Sequence, residues 1–190
     1  MSAQLVRDIA ADAFTDAIDM LSIVDTLESG NTPVAVAVVR TAQTDAVVEC
    51  IYRALWTRLL VIVARAYADK RQSGDRHAHV AFELLKDPAI RSEVEKSGDA
   101  TALAEAITLW VNHRGDHRLH SILQYRDKFV AHRGKWDAKI PLPIINEIFE
   151  VTRATARALE RLAQGTGVVT LSLDSQMMTY RKRADRFWGV

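Results

Sequence analysis

The sequence predicts an all-α protein, an antiparallel bundle of about four long helices with short accessory helices. Long stretches of the 190-residue chain contain almost no helix breakers, since there are only 8 glycines and 4 prolines. Apolar residues within these stretches recur every three or four positions, which is the helical period. The hydrophobic fraction of 48% and the charged fraction of 26% are those of a soluble globular domain, which argues against disorder and membrane residence.

The first predicted helix is amphipathic and extends from about Leu5 to Val24. Its apolar residues follow the helical period and form one face. Four aspartates fall on a separate stripe: Asp8, Asp12, Asp16 and Asp19. The residues Ser-Gly-Asn-Thr-Pro at 29–33 end this helix, because Gly, Asn and Pro together favour a turn.

A second helical region extends from about Thr32 to Asp69 and is almost free of glycine and proline. Such a run is too long for a buried strand, so it predicts one or two helices. Charged residues interrupt it and argue against a transmembrane span, which needs about 20 apolar residues. The single cysteine, Cys50, lies in this apolar region, so we expect it to be buried and structural.

The central part of the chain predicts two short helices followed by a long one. A loop at 72–76 precedes a short helix from His77 to Leu85, and Asp87 followed by proline fits the start of another. Asp99 is a favourable N-cap for the long helix that follows. Gly115 is expected to kink or divide that helix.

The C-terminal part begins, after two prolines, with an apolar stripe from Ile144 to Leu162 that predicts another long helix. The alternation from Val168 to Leu173 fits a short strand. Gln176 to Trp188 fits a basic helix, which would either contact nucleic acid or be solvated. We therefore divide the chain into a helical bundle at 1–166 and a C-terminal appendage with a basic helix at 167–190.

The N-terminus and the charge distribution bear on location and partners. The first residues include acids and lack the basic start and uninterrupted apolar run of a secretory signal, so we expect a cytoplasmic protein without a membrane partner. The net charge is only +1, but the charges are uneven. Acids dominate Met1 to Gly30, whereas bases and four histidines concentrate from His113 to Lys139.

Arg126 occupies a position in an apolar helical stripe that also contains Ile122 and Phe129. Arginine is almost never fully buried alone, so its charge needs a carboxylate, a ligand phosphate or a dimer interface. His132 follows six residues later. On an ideal helix it lies on a different side, roughly 9 Å along the axis. Two copies of the helix around a twofold axis would bring each arginine near the other chain's histidine.

The string Arg-Asp-Lys-Phe-Val-Ala-His, from Arg126 to His132, resembles the signature of the HEPN superfamily. In that signature an arginine, usually followed by a polar residue, precedes a histidine by four to six intervening positions. Five residues intervene here. The pattern Arg-Asp-Lys-x-x-Ala-His is most similar to the AbiU type of HEPN protein, which belongs to abortive-infection systems.

This resemblance implies a helical bundle that forms a homodimer through the motif helix, and in active members a metal-independent endoribonuclease without a cofactor. A ribose 2′-hydroxyl would attack the adjacent phosphorus. His132 would then transfer the proton, Arg126 would bind the phosphate, and Asp127 would orient one of them or the substrate. Lys128, Arg133 and Lys135 would contact RNA. An antitoxin partner, in a toxin–antitoxin or phage-defence system, is also implied.

The same residues allow a non-catalytic interpretation. Arg126 and Asp127 could hold a bundle or interface together, and His132 would be favourable near the negative end of a helix. The chain would then be a helical HEPN module for interaction or RNA binding. RNA cleavage by the wild type compared with His132→Ala separates the two alternatives.

Other clusters are weaker candidates for a site. His113, His117 and His120 would share one face of an uninterrupted helix, which allows a metal site, but we favour a solvated basic face and predict no metal. His77 and His79 are expected at the surface, and Trp110 in the core. The chain contains no Walker phosphate loop, no dinucleotide fingerprint, no Cys-x-x-Cys pair and no nucleophile elbow.

Overall fold

The computed structural model describes residues 3–68, 74–131, 142–169 and 171–190. All regular secondary structure in these ranges is helical, so the predicted all-α class is confirmed. The helices are α1 Ala3–Gly30, α2 Pro33–Ala42, α3 Asp45–Ala66, α4 Ala78–Leu84, α5 Pro88–Glu95, α6 Ala100–Arg114, α7 His117–Tyr125, α8 Ile145–Gly165 and α9 Leu173–Trp188. A π-helical turn, Arg126–Ala131, directly follows α7.

The core forms where α1 packs along α8, α9 and α3, and where α6 packs along α8. Fully buried side chains from these helices meet there, among them Ile9, Met20, Leu59, Leu103 and Leu159. Each such side chain contributes roughly 1.5–3 kcal/mol by leaving water. These contacts fit the predicted helical bundle.

Local signals in the sequence explain most of the helix boundaries. Thr32 caps α2, whose first residue is proline. Asp87 and Asp99 cap α5 and α6 with their side chains, as their positions predicted. Gly115 divides the long central helix, because α6 ends at Arg114 and α7 begins two residues after the glycine.

The predicted strand from Val168 to Leu173 is not found in the described part of this segment, and that prediction was wrong. The backbone N–H groups of Val168 and Val169 donate to the carbonyl oxygen of Ala163, at the end of α8, instead of to a neighbouring strand. Leu173 already begins α9, and its N–H donates to the buried carboxylate of Glu160 at 2.8 Å.

The predicted basic helix exists as α9 and packs on α1. Arg181 donates to the buried carboxylate of Asp25 at 2.9 Å. The indole N–H of Trp188 donates to the carbonyl oxygen of Thr26 at 2.8 Å. The division at 166 remains a prediction, although α9 is firmly attached to the first helix.

Much of the N-terminal half of α3 is exposed despite its apolar sequence, although Tyr52 and Leu55 pack against the core. Cys50 is at the surface, so the prediction that it is buried was wrong. Val34 and Val38 of α2 and Val47 of α3 are also exposed. No helix in the described ranges has the combined length and apolarity that a membrane crossing requires.

Candidate functional site

Helix α7 leads directly into Arg126–Ala131, the described part of the motif. Leu119 and Ile122 bury the inner face of this short helix in the core. Asp116 caps its start by accepting a hydrogen bond from the backbone N–H of Arg118 at 2.9 Å. The described part of the motif, Arg126–Ala131, therefore follows directly on a capped helix with buried anchors.

Arg118 links α7 to two elements at once. Its guanidinium donates to Asp116, with Nη2 2.7 Å from Oδ2, and to Glu150 of α8, with Nη1 2.5 Å from Oε2. The hydrogen bond from Arg118 lowers the pKa of the Asp116 carboxyl, and these two acids raise the pKa of the guanidinium. The sequence analysis did not identify Arg118 as a positioning residue. Asp116, two residues earlier, is a residue type favoured at N-caps and could have indicated this role.

The motif itself begins with a π-helical turn, Arg126–Ala131, that packs against α3. A π-helix uses hydrogen bonds from residue i to i+5, and such turns occur often at functional sites. The angle per residue of an ideal α-helix therefore does not apply here. The predicted separation of Arg126 from His132 rested on that ideal geometry, and His132 lies outside the described residues.

Arg126 is partly buried, with 29% of its side chain exposed. Its Nη1 lies 3.0 Å from Oδ1 of Asp127, so a carboxylate is one partner of the charge. Its Nε is buried and has no hydrogen-bond partner among the described residues. A buried donor without a partner costs about 1–3 kcal/mol. The described residues therefore provide partners for only some of the hydrogen-bond donors of the Arg126 guanidinium.

The predicted site residues divide into two groups. The structure brings Arg126 and Asp127 together, and Asp127 is half exposed. Lys128 follows in the same turn with a partly exposed side chain. The remaining predictions lie outside the described residues: His132, Arg133 and Lys135.

The three histidines near Gly115 do not share one helix. His113 belongs to the last turn of α6, whereas His117 and His120 belong to α7. Burial lowers the pKa of His113. Within the described ranges, no group of three or more His, Cys, Asp or Glu side chains is arranged to hold a metal ion.

The helical bundle and the Arg126 to His132 motif define a HEPN-type domain. The family model of the AbiU2 HEPN proteins matches residues 15–187. This match covers most of the chain, from α1 to the last turn of α9, so the chain belongs to the AbiU2 family. Searches of curated proteins and of solved structures gave no match.

Proposed function

We propose that this AbiU2-family protein is a metal-independent endoribonuclease whose site combines Arg126 of one chain with His132 of a second copy. The observation that carries the proposal is the state of Arg126. Its guanidinium is paired with Asp127 at 3.0 Å, and 29% of the arginine side chain remains exposed, so the cation is both oriented and partly accessible. A phosphate oxygen is an acceptor suited to such a group.

The reaction would be an internal transesterification of RNA. The ribose 2′-oxygen forms a bond to the adjacent phosphorus, and the bond from phosphorus to the 5′-oxygen breaks. The products are a 2′,3′-cyclic phosphate and a free 5′-hydroxyl. Negative charge develops on the phosphate oxygens, and Arg126 stabilises it. His132 transfers a proton during the reaction, since its ordinary pKa lies near neutrality.

Asp127 has a positioning role in this proposal. Its ion pair with Arg126 restricts the guanidinium to fewer orientations before RNA binds. Preorganised groups stabilise a transition state better than mobile ones because no reorganisation is needed during the reaction. Lys128, together with Arg133 and Lys135, would bind the RNA backbone through phosphate contacts.

The dimer is part of the proposal because the resemblance to HEPN proteins implies a site shared between two chains, in which each arginine faces the histidine of the other copy. The motif turn and α7 would form the contact between copies. Membership of the AbiU2 family supports a role in abortive infection. We infer that the RNA target is cleaved in a phage-defence or toxin–antitoxin setting, with an antitoxin partner.

The direct test is cleavage of a single-stranded RNA in the presence of EDTA. His132→Ala and Arg126→Ala should each reduce the rate by about 100-fold or more, because general acid–base and electrostatic contributions have that size. Arg53→Ala is the matched control, since Arg53 is an exposed arginine on α3 that should leave the rate unchanged. Equal background rates in the wild type and His132→Ala would refute the nuclease.

A non-catalytic HEPN module is the second candidate, and the Arg126–Asp127 ion pair favours it. An internal carboxylate neutralises the charge that the nuclease would use on phosphate. In that case the protein would bind RNA or another partner without cleaving it. Asp127→Asn distinguishes the candidates, because a module held by the ion pair loses stability, whereas a nuclease loses rate.

A further inference from the structure

Helix α9 packs on α1 through one side and exposes much of its remaining surface. Its buried residues are Leu173, Met177, Ala184 and Trp188. Two large aromatic side chains of the same helix are exposed, Tyr180 at 40% and Phe187 at 63%. Apolar side chains that lie together at a surface mark a contact site better than isolated ones do.

The two aromatic residues belong to one stripe along α9. Tyr180, Arg183 and Phe187 are three and four residues apart, and on an ideal helix they project within about 60° of one another. Seven residues separate the two aromatic positions, which corresponds to about 10 Å along the helix axis. Apolar side chains seven residues apart on a second helix have the same separation. The stripe therefore has the periodicity of a contact between two helices.

The apolar surface continues past the end of α9 onto α2. Phe187 contacts the ring of Trp188 edge to face, with centroids 4.9 Å apart. Val38 of α2 lies beside Gly189, because a Cβ at that glycine would be 3.7 Å from Cγ2 of Val38. Val38 is 44% exposed, and Val34, one turn earlier, is 56% exposed. Two helices thus contribute apolar side chains to this surface.

The cations beside the stripe are not neutralised by the described part of the chain. Arg183 and Arg186 are exposed, and neither forms an ion pair with a carboxylate of the described residues. Asp185, their neighbour in the sequence, instead accepts a hydrogen bond from the hydroxyl of Ser29 at 2.8 Å. Positive charge therefore lies directly beside the exposed aromatic side chains.

This face of α9 is fixed in place before any partner binds. Arg181 donates to the buried Asp25 at 2.9 Å, and Trp188 donates to the carbonyl oxygen of Thr26 at 2.8 Å. Both contacts join α9 to α1. A surface on an attached helix does not have to be ordered during association, which reduces the entropic cost of binding.

We infer that the outer face of α9, formed by Tyr180, Arg183, Arg186 and Phe187, binds an acidic amphipathic helix of a partner protein. Apolar side chains of that helix would cover Tyr180 and Phe187, and its carboxylates would pair with the two arginines. Charge complementarity favours this occupant over a second copy of the chain, since two identical faces would bring arginines together. The inference concerns residues outside the motif turn and does not depend on RNA cleavage.

The test measures binding of three fluorescent helical peptides to the full chain by anisotropy, each about 21 residues long, or three heptads. The first has leucine at the a and d positions and glutamate at the e and g positions. The second has lysine in place of glutamate, and the third has alanine in place of leucine. The leucine–glutamate peptide should bind about tenfold more tightly than either of the others. No binding of this peptide, or equal affinity for it and either of the others, would overturn the inference.

Charge reversal locates the binding surface. The double variant Arg183→Glu with Arg186→Glu should reverse the preference, so that the leucine–lysine peptide binds about tenfold more tightly than the leucine–glutamate peptide. The matched control is Arg53→Glu with Lys86→Glu, which changes the net charge equally at two exposed cations on α3 and after α4. This control should retain the wild-type preference. Reversal by both double variants would show an effect of net charge alone and would contradict a defined face.

The aromatic part of the face has its own matched pair of variants. Phe187 is 63% exposed and Val111, on α6, is 64% exposed, so neither substitution by alanine should disturb the core. Phe187→Ala should weaken binding of the leucine–glutamate peptide about fivefold, whereas Val111→Ala should bind it within about twofold of the wild type. Equal binding by the wild type and Phe187→Ala would remove the aromatic side chain from the interface.

The last measurement distinguishes the acidic helix from two other anionic occupants. It uses the Arg126→Ala chain, so that RNA bound at the motif contributes less, at about 0.15 M salt. A single-stranded RNA oligonucleotide and vesicles containing phosphatidylserine should each bind more weakly than the leucine–glutamate peptide. Tighter binding of RNA or vesicles, lost on reversing the charges of Arg183 and Arg186, would assign the face to nucleic acid or to a membrane and overturn the inference.

Discussion

Asp116→Ala tests how much Asp116 stabilises α7, the helix that directly precedes the motif turn. Asp116 accepts a hydrogen bond from the N–H of Arg118 at 2.9 Å and also pairs with its guanidinium. Loss of an N-cap costs about 0.5–2 kcal/mol. Loss of an ion pair with a carboxylate that is 14% exposed and an arginine that is 30% exposed adds up to about 1 kcal/mol. We expect a loss of about 2 kcal/mol in the free energy of unfolding.

The assay is urea denaturation followed by far-ultraviolet circular dichroism, with Asp87→Ala as the matched control. Asp87 caps α5 through the N–H of Ala89 at 2.8 Å, so its removal should cost about 1 kcal/mol. The melting temperature of Asp116→Ala should fall by about 4–8 °C. A loss no larger than that of Asp87→Ala would refute a contribution from the Arg118 ion pair.

The pH dependence of the free energy of unfolding distinguishes the N-cap hydrogen bond of Asp116 from its ion pair with Arg118. Asp116→Asn is the variant to compare, because it keeps an N-cap but removes the carboxylate. Hydrogen bonding from Arg118 lowers the pKa of Asp116 in the folded chain. The contribution of this carboxylate is therefore present above its unfolded-state pKa and is lost as the pH falls through its folded-state pKa. The stability difference between wild type and Asp116→Asn should shrink in acid, and a constant difference would contradict this.

Two further substitutions test the packing. Gly165→Ala would place a Cβ 2.5 Å from the backbone nitrogen of Leu103, so unfolding should become easier by about 1–3 kcal/mol. Gly74→Ala, where a Cβ meets open space, should stay within about 0.5 kcal/mol of the wild type in the same urea titration. Trp110→Ala removes a buried ring that stacks between two other aromatic rings and should cost about 3–5 kcal/mol, measured by thermal denaturation, and a loss below about 1 kcal/mol would contradict that role.

The helices were predictable because their signals are local. Apolar spacing identifies α1 and α8, Asp99 marks the start of α6, and Gly115 marks the division between α6 and α7. Each of these signals depends on residues within one or two turns of each other. Tertiary contacts do not override them at these positions.

Exposure and the fine geometry of the site were not predictable in this way. Apolar spacing cannot tell whether another element covers a helix, so Cys50 and His79 were both assigned to the wrong environment. The π-helical turn at Arg126 changes the hydrogen-bond register without changing the pattern of residue types. The contact of Arg118 with Glu150 joins residues 32 positions apart, which spacing within one helix does not reveal.

The composite site is the central claim, and mixing two inactive variants tests it most directly. Arg126→Ala and His132→Ala chains, unfolded together and refolded in equal amounts, should form heterodimers in half of the dimers. Each heterodimer then contains one intact site and one doubly altered site. RNA cleavage should return to about a quarter of the wild-type rate. A mixture that stays as inactive as either variant alone, although it forms heterodimers, would contradict a site shared between two chains.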